Sequence, residues 1–267
     1  MPSAGQLLFT AKDNSNNPQA ITASPGVVPR TDKPGYMVIL GTGKLYDLND
    51  QSSTQVQAAY GLWDTVPFGS SGTFSPIVGK SSLVQVSVTT TNVSSTTTVG
   101  SEPTTFYNAV AARAMNWDAG DRGWFLNYEL TPGQRTIFSV EPVQKVVRVD
   151  TIAPRLSQQS CSAGTSLGFN YILDPLAGTC RAQSTFDTNG DGKIDSDDSR
   201  ACVYSTEADG EDVVLDIRLN GVSTGFIDIQ DSRGHIKARV GDDLPPTGSP
   251  GVPGLNVKRS WRQLIMR

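Results

Sequence analysis

Oxygen-bearing side chains recur at a telling spacing through residues 187–198, Asp-Thr-Asn-Gly-Asp-Gly-Lys-Ile-Asp-Ser-Asp-Asp. Asp187, Asn189, Asp191, Asp195 and Asp198 fall at positions 1, 3, 5, 9 and 12 of a twelve-residue loop. Gly192 stands at position 6, where such a loop turns sharply, and Lys193 at position 7 offers its backbone carbonyl. Ile194 at position 8 is an apolar anchor toward a core. Alternate residues then point inward at one hard cation, the arrangement that holds Ca²⁺. Carboxylates crowded this closely repel one another unless a cation sits among them. The expected ligand set is therefore Asp187, Asn189, Asp191, Lys193 (by its carbonyl), Asp195 and Asp198, with Ca²⁺ as the cofactor.

The loop departs from an EF-hand in its last position and in its flanks. Asp198 replaces the usual bidentate Glu and is one methylene shorter. It is expected to reach the ion poorly or through water, with coordination closing at Asp195. Upstream, Thr179 to Thr185 has no 3.6-residue apolar period; downstream, Cys202-Val203-Tyr204 runs into the polar stretch Ser205 to Asp212. No second loop of this kind is present to form a pair. The pattern thus reads as a lone calcium loop in a connection of some other fold, a structural or regulatory clamp.

Other chemistry is poorly supported. His235 is the only histidine, and no Gly-x-Ser-x-Gly elbow accompanies it. Cys161, Cys180, Cys202 and His235 show no ligand pair at zinc-finger spacing. Gly41-Thr42-Gly43-Lys44 lacks the leading Gly and trailing Ser or Thr of a phosphate-binding loop and reads as a strand-end turn. Trp63, Trp117, Trp124 and Trp261 read first as packing residues and second as platforms for sugars. Asp118, Asp121, Asp242 and Asp243 have no spacing that supports glycoside hydrolysis. Three cysteines leave at least one without an intramolecular partner. Cys161–Cys180 would bracket a hairpin and Cys180–Cys202 would bracket the loop; spacing does not choose, and the first is slightly preferred.

The elements that must carry the loop are strands. The chain has 267 residues, only 18% of them charged, a net charge of −4 and abundant Ser, Thr, Gly and Pro. That balance suits an all-β extracellular protein. No Lys/Arg run exceeds two residues, which argues against a nucleic-acid partner. The longest apolar run, Tyr36 to Leu40, is far short of the ~20 residues that span a membrane. The start, Met1-Pro2-Ser3-Ala4-Gly5, lacks the regions of a signal peptide. We therefore expect residues 1–267 to be a single domain of a longer exported protein.

Strands are expected at 6–11, 27–28, 36–40, 60–64, 83–88, 145–149, 168–174, 213–217 and 257–266. Hairpins are expected at 123–140 and 225–240, one short helix within 51–60, and a mobile Thr-rich loop over 89–105. About ten to twelve strands with almost no helix suggest a sandwich, barrel or propeller. Aromatic strands followed by turns recur at 123–133 and 168–178, an interval of blade size.

Several stretches, in order, resemble a known family. They are Ile21 to Val28, Gly35 to Tyr46, and Asp50 to Asp64 with its Tyr60-Gly61-Leu62-Trp63-Asp64. Arg122 to Leu126 with Gly133-Gln134-Arg135, Cys161 to Thr165 and the closing Arg259 to Ile265 continue the series. Together they are similar to the type IV pilus tip-associated PilC/PilY proteins over about residues 19–265. The resemblance implies an all-β fold, a modified or partial β-propeller with long irregular loops and one calcium-binding loop. It further implies an extracellular place at the pilus tip or outer membrane, with pilins or minor pilins and a host or abiotic surface as partners. Roles in pilus assembly, adhesion and twitching motility follow, with calcium occupancy opposing retraction. The family's shorter loop type maps onto Asp187, Asn189, Asp191 and Asp195 with the Lys193 carbonyl; Asn189 stands where an Asp is usual and removes one negative charge. On this reading the chain is not an enzyme. The competing expectation is a secreted propeller enzyme, a glycosidase or quinone-dependent dehydrogenase, with calcium as scaffold.

Overall fold

The computed structural model describes residues 7–46, 48–67, 69, 74–89, 97–99, 102–143, 145–154, 166–182, 185–186, 188–189, 194–208, 218–221, 227–230 and 236–240. Fourteen strands lie among the described residues. The first seven are β1 (Gly26–Pro29), β2 (Tyr36–Gly41), β3 (Ala58–Asp64), β4 (Leu83–Thr89), β5 (Thr97–Val99), β6 (Glu102–Ala111) and β7 (Gly123–Asn127). Then come β8 (Glu141–Val143), β9 (Val146–Pro154), β10 (Ser166–Leu173), β11 (Val203–Ala208), β12 (Arg218–Gly221), β13 (Ile227–Gln230) and β14 (Ile236–Val240). One short helix, α1 (Leu48–Ser52), and one 3₁₀ turn at Trp117–Ala119 complete the inventory.

Ten strands follow one path, β1-β2-β3-β7-β4-β6-β11-β10-β9-β8, with β5 paired on β6 and every neighbour antiparallel except β4 with β7. The sheet curls until its ends nearly meet. The Val140 amide donates to the Ser24 carbonyl just before β1. Arg135 and Ile152 exchange two backbone hydrogen bonds of 2.9 Å, and the Thr136 amide donates to Thr42. The all-β expectation holds, and the modified propeller takes the form of one continuous, almost closed sheet. The aromatic strands at 123 and 168 accordingly share this sheet, with β4, β6 and β11 between them. β12, β13 and β14 form a separate antiparallel sheet, in which β13 and β14 pair as expected.

The curl leaves an inside and an outside. Met37, Ile39, Ala59, Val86, Ala109, Trp124, Leu126, Val147, Val149, Phe169, Tyr171 and Val203 fill the interior from successive strands. The close fit is set by glycine. A Cβ on Gly61, or on Gly178 with its φ of +68°, would overlap the Trp124 indole. The outer face carries two further apolar clusters. One is Leu40, Ala58, Tyr60, Leu62, Leu83 and Phe125, covered by Leu8, Phe9, Ala11 and Ile77. The other joins Phe106, Val143, Val146, Ile172 and Tyr204 to Phe186 and Ala201, which lie outside the strands. Covering both faces explains why β3, β7 and β9 read as nearly unbroken buried runs.

Several expectations are corrected. Residues 7–11 form no strand; Phe9 makes a single bridge to Ile77, because this segment lies across the outer face as a cover. The helix precedes its expected place, and Ala58 to Tyr60 join β3 instead, since their apolar side chains are buried there and pair with β7. Within the expected 89–105 loop, residues 97–99 are β5 and 102–105 begin β6, as β-branched Thr and Val favour extended chain, while 90–96 and 100–101 lie outside the described residues. No hairpin forms over 123–140. Both edges of β7 are taken by β3 and β4, so Arg135 bridges Ile152. Strand expectations at 213–217 and 257–266 lie outside the described residues.

Candidate metal centre

The loop grows out of the sheet between two adjacent strands. β10 ends at Leu173, and Asp174 then organises a tight turn: its Oδ1 accepts the amides of Leu176 (2.8 Å) and Ala177 (3.3 Å). Trp124 fastens this turn to the core by donating its indole N–H to the Pro175 carbonyl at 2.9 Å. The chain leaves at Cys180 and returns at Cys202 to enter β11, which pairs on both sides with β10 and β6. Cys180 and Cys202 are disulfide-bonded, with their Cα atoms 5.2 Å apart. The slight preference for Cys161–Cys180 is therefore overturned. The return of β11 beside β10 brings Cys202 back against the end of the same sheet, where its amide donates to Tyr107. Cys161 lies outside the described residues.

The bridge closes a stem. Arg200 reaches back across it, donating through Nε to the Arg181 carbonyl at 2.7 Å and through Nη2 to the Cys180 carbonyl. Phe186, fully buried, packs on Phe106 (ring centroids 5.6 Å apart) and edge-on to Tyr204 (5.1 Å). Ile194 is buried as its position in the loop requires.

Of the expected ligands, Asp187, Asp191 and Lys193 lie outside the described residues. Asn189 is exposed; Asp195 and Asp198 are half-buried. Asp195 Oδ1 accepts the Asp197 amide at 2.9 Å. Asp198 is held far more firmly. Its Oδ1 accepts the Thr188 amide (2.6 Å), the Thr188 hydroxyl (3.1 Å) and the Asn189 amide (3.3 Å), and its Oδ2 accepts the Asp195 amide (2.9 Å). The Thr188 hydroxyl in turn accepts the Ser199 amide at 2.8 Å. Burial pushes the Asp198 carboxyl above the ordinary Asp range, opposed by these hydrogen bonds. Residue 198 thus ties the entering leg of the loop to its leaving leg.

The donor set that the sequence offers suits a hard cation, because every side-chain donor in it is an oxygen. Asp187, Asn189, Asp191 and Asp195 with the Lys193 carbonyl would hold the ion. Sequence reasoning missed Thr188, Phe186 and Arg200. A hydroxyl at loop position 2 and an aromatic just before position 1 are the signals that could have exposed the first two.

The tryptophans weighed as sugar platforms are structural where described. Trp124 is fully buried, and Trp63 and Trp117 flank the Arg30 guanidinium at 4.6 and 4.0 Å from their ring centroids. Trp261 lies outside the described residues.

Comparison with known proteins decides the relationship. Residues 3–99 match the family profile described as the PilY1 beta-propeller domain. The type IV pilus biogenesis factor PilY1 of Pseudomonas aeruginosa strain PAO1 is 30% identical over 202 residues, 72% of this chain. That of strain UCBPP-PA14 is 28% identical over 224 residues, 78% of this chain. The crystal structure of the P. aeruginosa PilY1 C-terminal domain superposes with a TM-score of 0.67 at 26% identity, covering 88% of this chain and 48% of that one. The chain belongs to the PilY1 family. It spans only 17% and 19% of the length of the PAO1 and UCBPP-PA14 PilY1 relatives. Among the described residues of this PilY1-family chain, no helix is long and apolar enough to cross a membrane.

Proposed function

We propose that this chain is a non-enzymatic, calcium-binding domain of a type IV pilus biogenesis factor exposed at the pilus tip. Its partners are pilins or minor pilins, and a host or abiotic surface is the ligand of attachment. Calcium in the 187–198 loop modulates pilus extension against retraction and so twitching motility. The observation that carries the reading is an oxygen-rich loop with ligand spacing, in a PilY1-family chain, on a stem closed by Cys180–Cys202 and Asp198. The family relationship supports the pilus role; the loop's chemistry supports the ion.

Extracellular modules of this kind bind calcium at about 10⁻⁴ to 10⁻³ M, which is enough where millimolar calcium is present. An ion bound only by the folded chain adds ~1.4 kcal/mol at tenfold excess over its dissociation constant. For a chain of this size that raises the melting temperature by roughly 3–6 °C. Calorimetric titration with CaCl₂ should therefore give one site in the wild type and none in Asp187→Ala/Asp195→Ala. The double variant, restored to a strain lacking its own protein, should assemble pili yet change twitching. Identical melting curves for wild type in calcium and in EDTA would remove the metal from this account.

A further inference from the structure

We propose that Lys80 and Asn127 become joined by an intramolecular isopeptide bond, formed when the lysine Nζ attacks the asparagine Cγ and Glu129 carries the proton. The inference is independent of the calcium loop. Such a bond needs an amine and a carboxamide fixed side by side, a carboxylate at the leaving nitrogen and little water. The outer face of the sheet supplies these together. Lys80 stands just before β4, and its carbonyl accepts the Leu83 amide at 3.0 Å. Its Nζ lies 4.7 Å from the ring centroid of Phe125 and 5.7 Å from that of Tyr60. The same Nζ donates to Asn127 Oδ1 at 3.4 Å, close enough for a small rotation of the lysine end to present it to Cγ. Asn127 ends β7 and is 7% exposed. Its Nδ2 donates to Glu129 Oε1 at 3.1 Å. The carboxamide is thus oriented from both ends, oxygen toward the ammonium and nitrogen toward the carboxylate.

Burial lowers the Lys80 amine below the ordinary lysine range, against the opposing charges of Asp13 and Glu129. The ring faces favour the ammonium, so a base must take its proton, and Glu129 is the carboxylate in place. The step then balances. The Lys80 ammonium gives a proton to Glu129, and the freed lone pair forms the Nζ–Cγ bond while Oδ1 takes up the carbonyl pair. Nζ sheds a second proton, Glu129 returns one to Nδ2, the Cγ–Nδ2 bond breaks and ammonia leaves as ammonium. Nothing is oxidised or reduced, and Glu129 ends as it began. Asn14 Oδ1 also lies 3.4 Å from the amine, but Asn14 is exposed to water. The product ties the chain ahead of β4 to the end of β7 over Tyr60 and Phe125. It constrains the unfolded chain as a disulfide does, and thiols cannot reverse it.

Intact-mass measurement of the folded wild-type chain, followed by tryptic peptide mapping, tests this directly. The chain should weigh one ammonia less than its sequence with the Cys180–Cys202 bridge formed. Trypsin does not cut after an acylated lysine, so residues 45–113 should emerge uncut at Lys80 and branched to residues 123–135. Lys80→Arg keeps a cation over the rings, and Asn127→Ala removes the carboxamide; both should show the full mass and linear peptides. Glu129→Gln keeps an acceptor for Asn127 Nδ2 but no base, and should form the bond at least ~100-fold more slowly. Equal rates in Glu129→Gln and wild type would overturn the role of Glu129. A full wild-type mass would overturn the bond and leave Lys80 as a cation held over two rings. Ammonia lost with linear peptides alone would mark a cyclised asparagine and overturn it equally. A branch to residues 13–30 would move the bond to Asn14 and overturn the choice of Asn127.

Discussion

Two irregular segments cover the outer face of the same curled sheet, and they are held in different ways. Leu8, Phe9 and Ala11 with Ile77 lie over Tyr60, Leu62 and Phe125, while Phe186 and Ala201, from the connection between β10 and β11, pack with Phe106, Ile172 and Tyr204. Each is organised by one aspartate. Asp13 gathers the amides of Ser15 and Asn17 (both 2.9 Å), the Asn17 side chain (3.1 Å) and the Gln55 side chain (3.0 Å). Asp198 gathers Thr188, Asn189 and Asp195. The first cover needs nothing more, because its single carboxylate has neutral donors all round it. The second brings further carboxylates at positions 187, 191, 195 and 197, and compensates with a disulfide, an arginine across the stem and, on our reading, an ion. Similar packing problems thus yield one cover held by a single carboxylate and one that, on the proposed calcium reading, responds to its surroundings.

The largest expected difference lies in the aromatic anchors. Phe186 is fully buried between Phe106 and Tyr204, so Phe186→Ala should cost about 3–5 kcal/mol in a denaturation midpoint. Phe9 is only half-buried, and Phe9→Ala should cost roughly half as much. Equal losses would mean that the two covers are not differently anchored. Next comes the disulfide, which has no counterpart in the first cover. Cys180→Ala/Cys202→Ala reopens a connection of 22 residues and should cost about 3 kcal/mol on the chain-entropy view. It should also weaken calcium binding in the same sample, whereas a loss of stability with unaltered affinity would separate the stem from the ion. Smaller again is removal of calcium. EDTA should speed amide exchange at Thr188, Asn189 and Asp195 by roughly tenfold for each ~1.4 kcal/mol of binding energy lost, and leave Asn17 and Gln19 unchanged. Uniform acceleration across both covers would show that the loop is not a separate unit.

The contrast also marks how far the sequence could be read. Runs with one dominant character were legible: Tyr36 to Leu40, Leu83 to Val88 and Gly168 to Leu173 all lie in strands. The loop is a pattern of the same local kind, and the burial of Ile194 agrees with its place in that pattern. What local pattern could not reveal was competition between partners. Arg135 pairs with Ile152 because β3 and β4 already occupy both edges of β7, a fact about three distant segments. The first cover was misread for a related reason. Leu8 and Phe9 look like a strand, yet they are partly buried by lying across strands. The cysteine pairing turned on where β11 inserts, which no spacing of three cysteines encodes.

Acid should act on the two regions with opposite sign, and this is the smallest effect expected. Hydrogen bonding from Gln55 comes first in holding the Asp13 carboxyl below the ordinary Asp range, against a desolvation cost. Its folded-state pKa is lower than its unfolded one. Its contribution is therefore present above the unfolded value, and is lost as pH falls through the folded value. Asp150 behaves the other way. It lies in register with Asn170, which is in turn opposite Tyr204 of the second outer cluster. Burial comes first in pushing its carboxyl up, although Arg148 donates to its Oδ2 at 2.7 and 2.6 Å. Its contribution is fully present below the unfolded value and is lost as pH rises through the folded value. Carboxyl ¹³C titrations should thus place Asp13 below and Asp150 above a free aspartate. Between about pH 5 and pH 3, amides of the Asp13 turn should lose protection in wild type and show less pH dependence in Asp13→Asn. Because Asp13 is only half-buried, the change should shrink at 1 M salt, while the Asp150 titration, screened by the protein itself, should barely move. If Asp150 instead titrates below a free aspartate, the Arg148 pairing outweighs burial, and the contrast between an open turn and a covered face disappears.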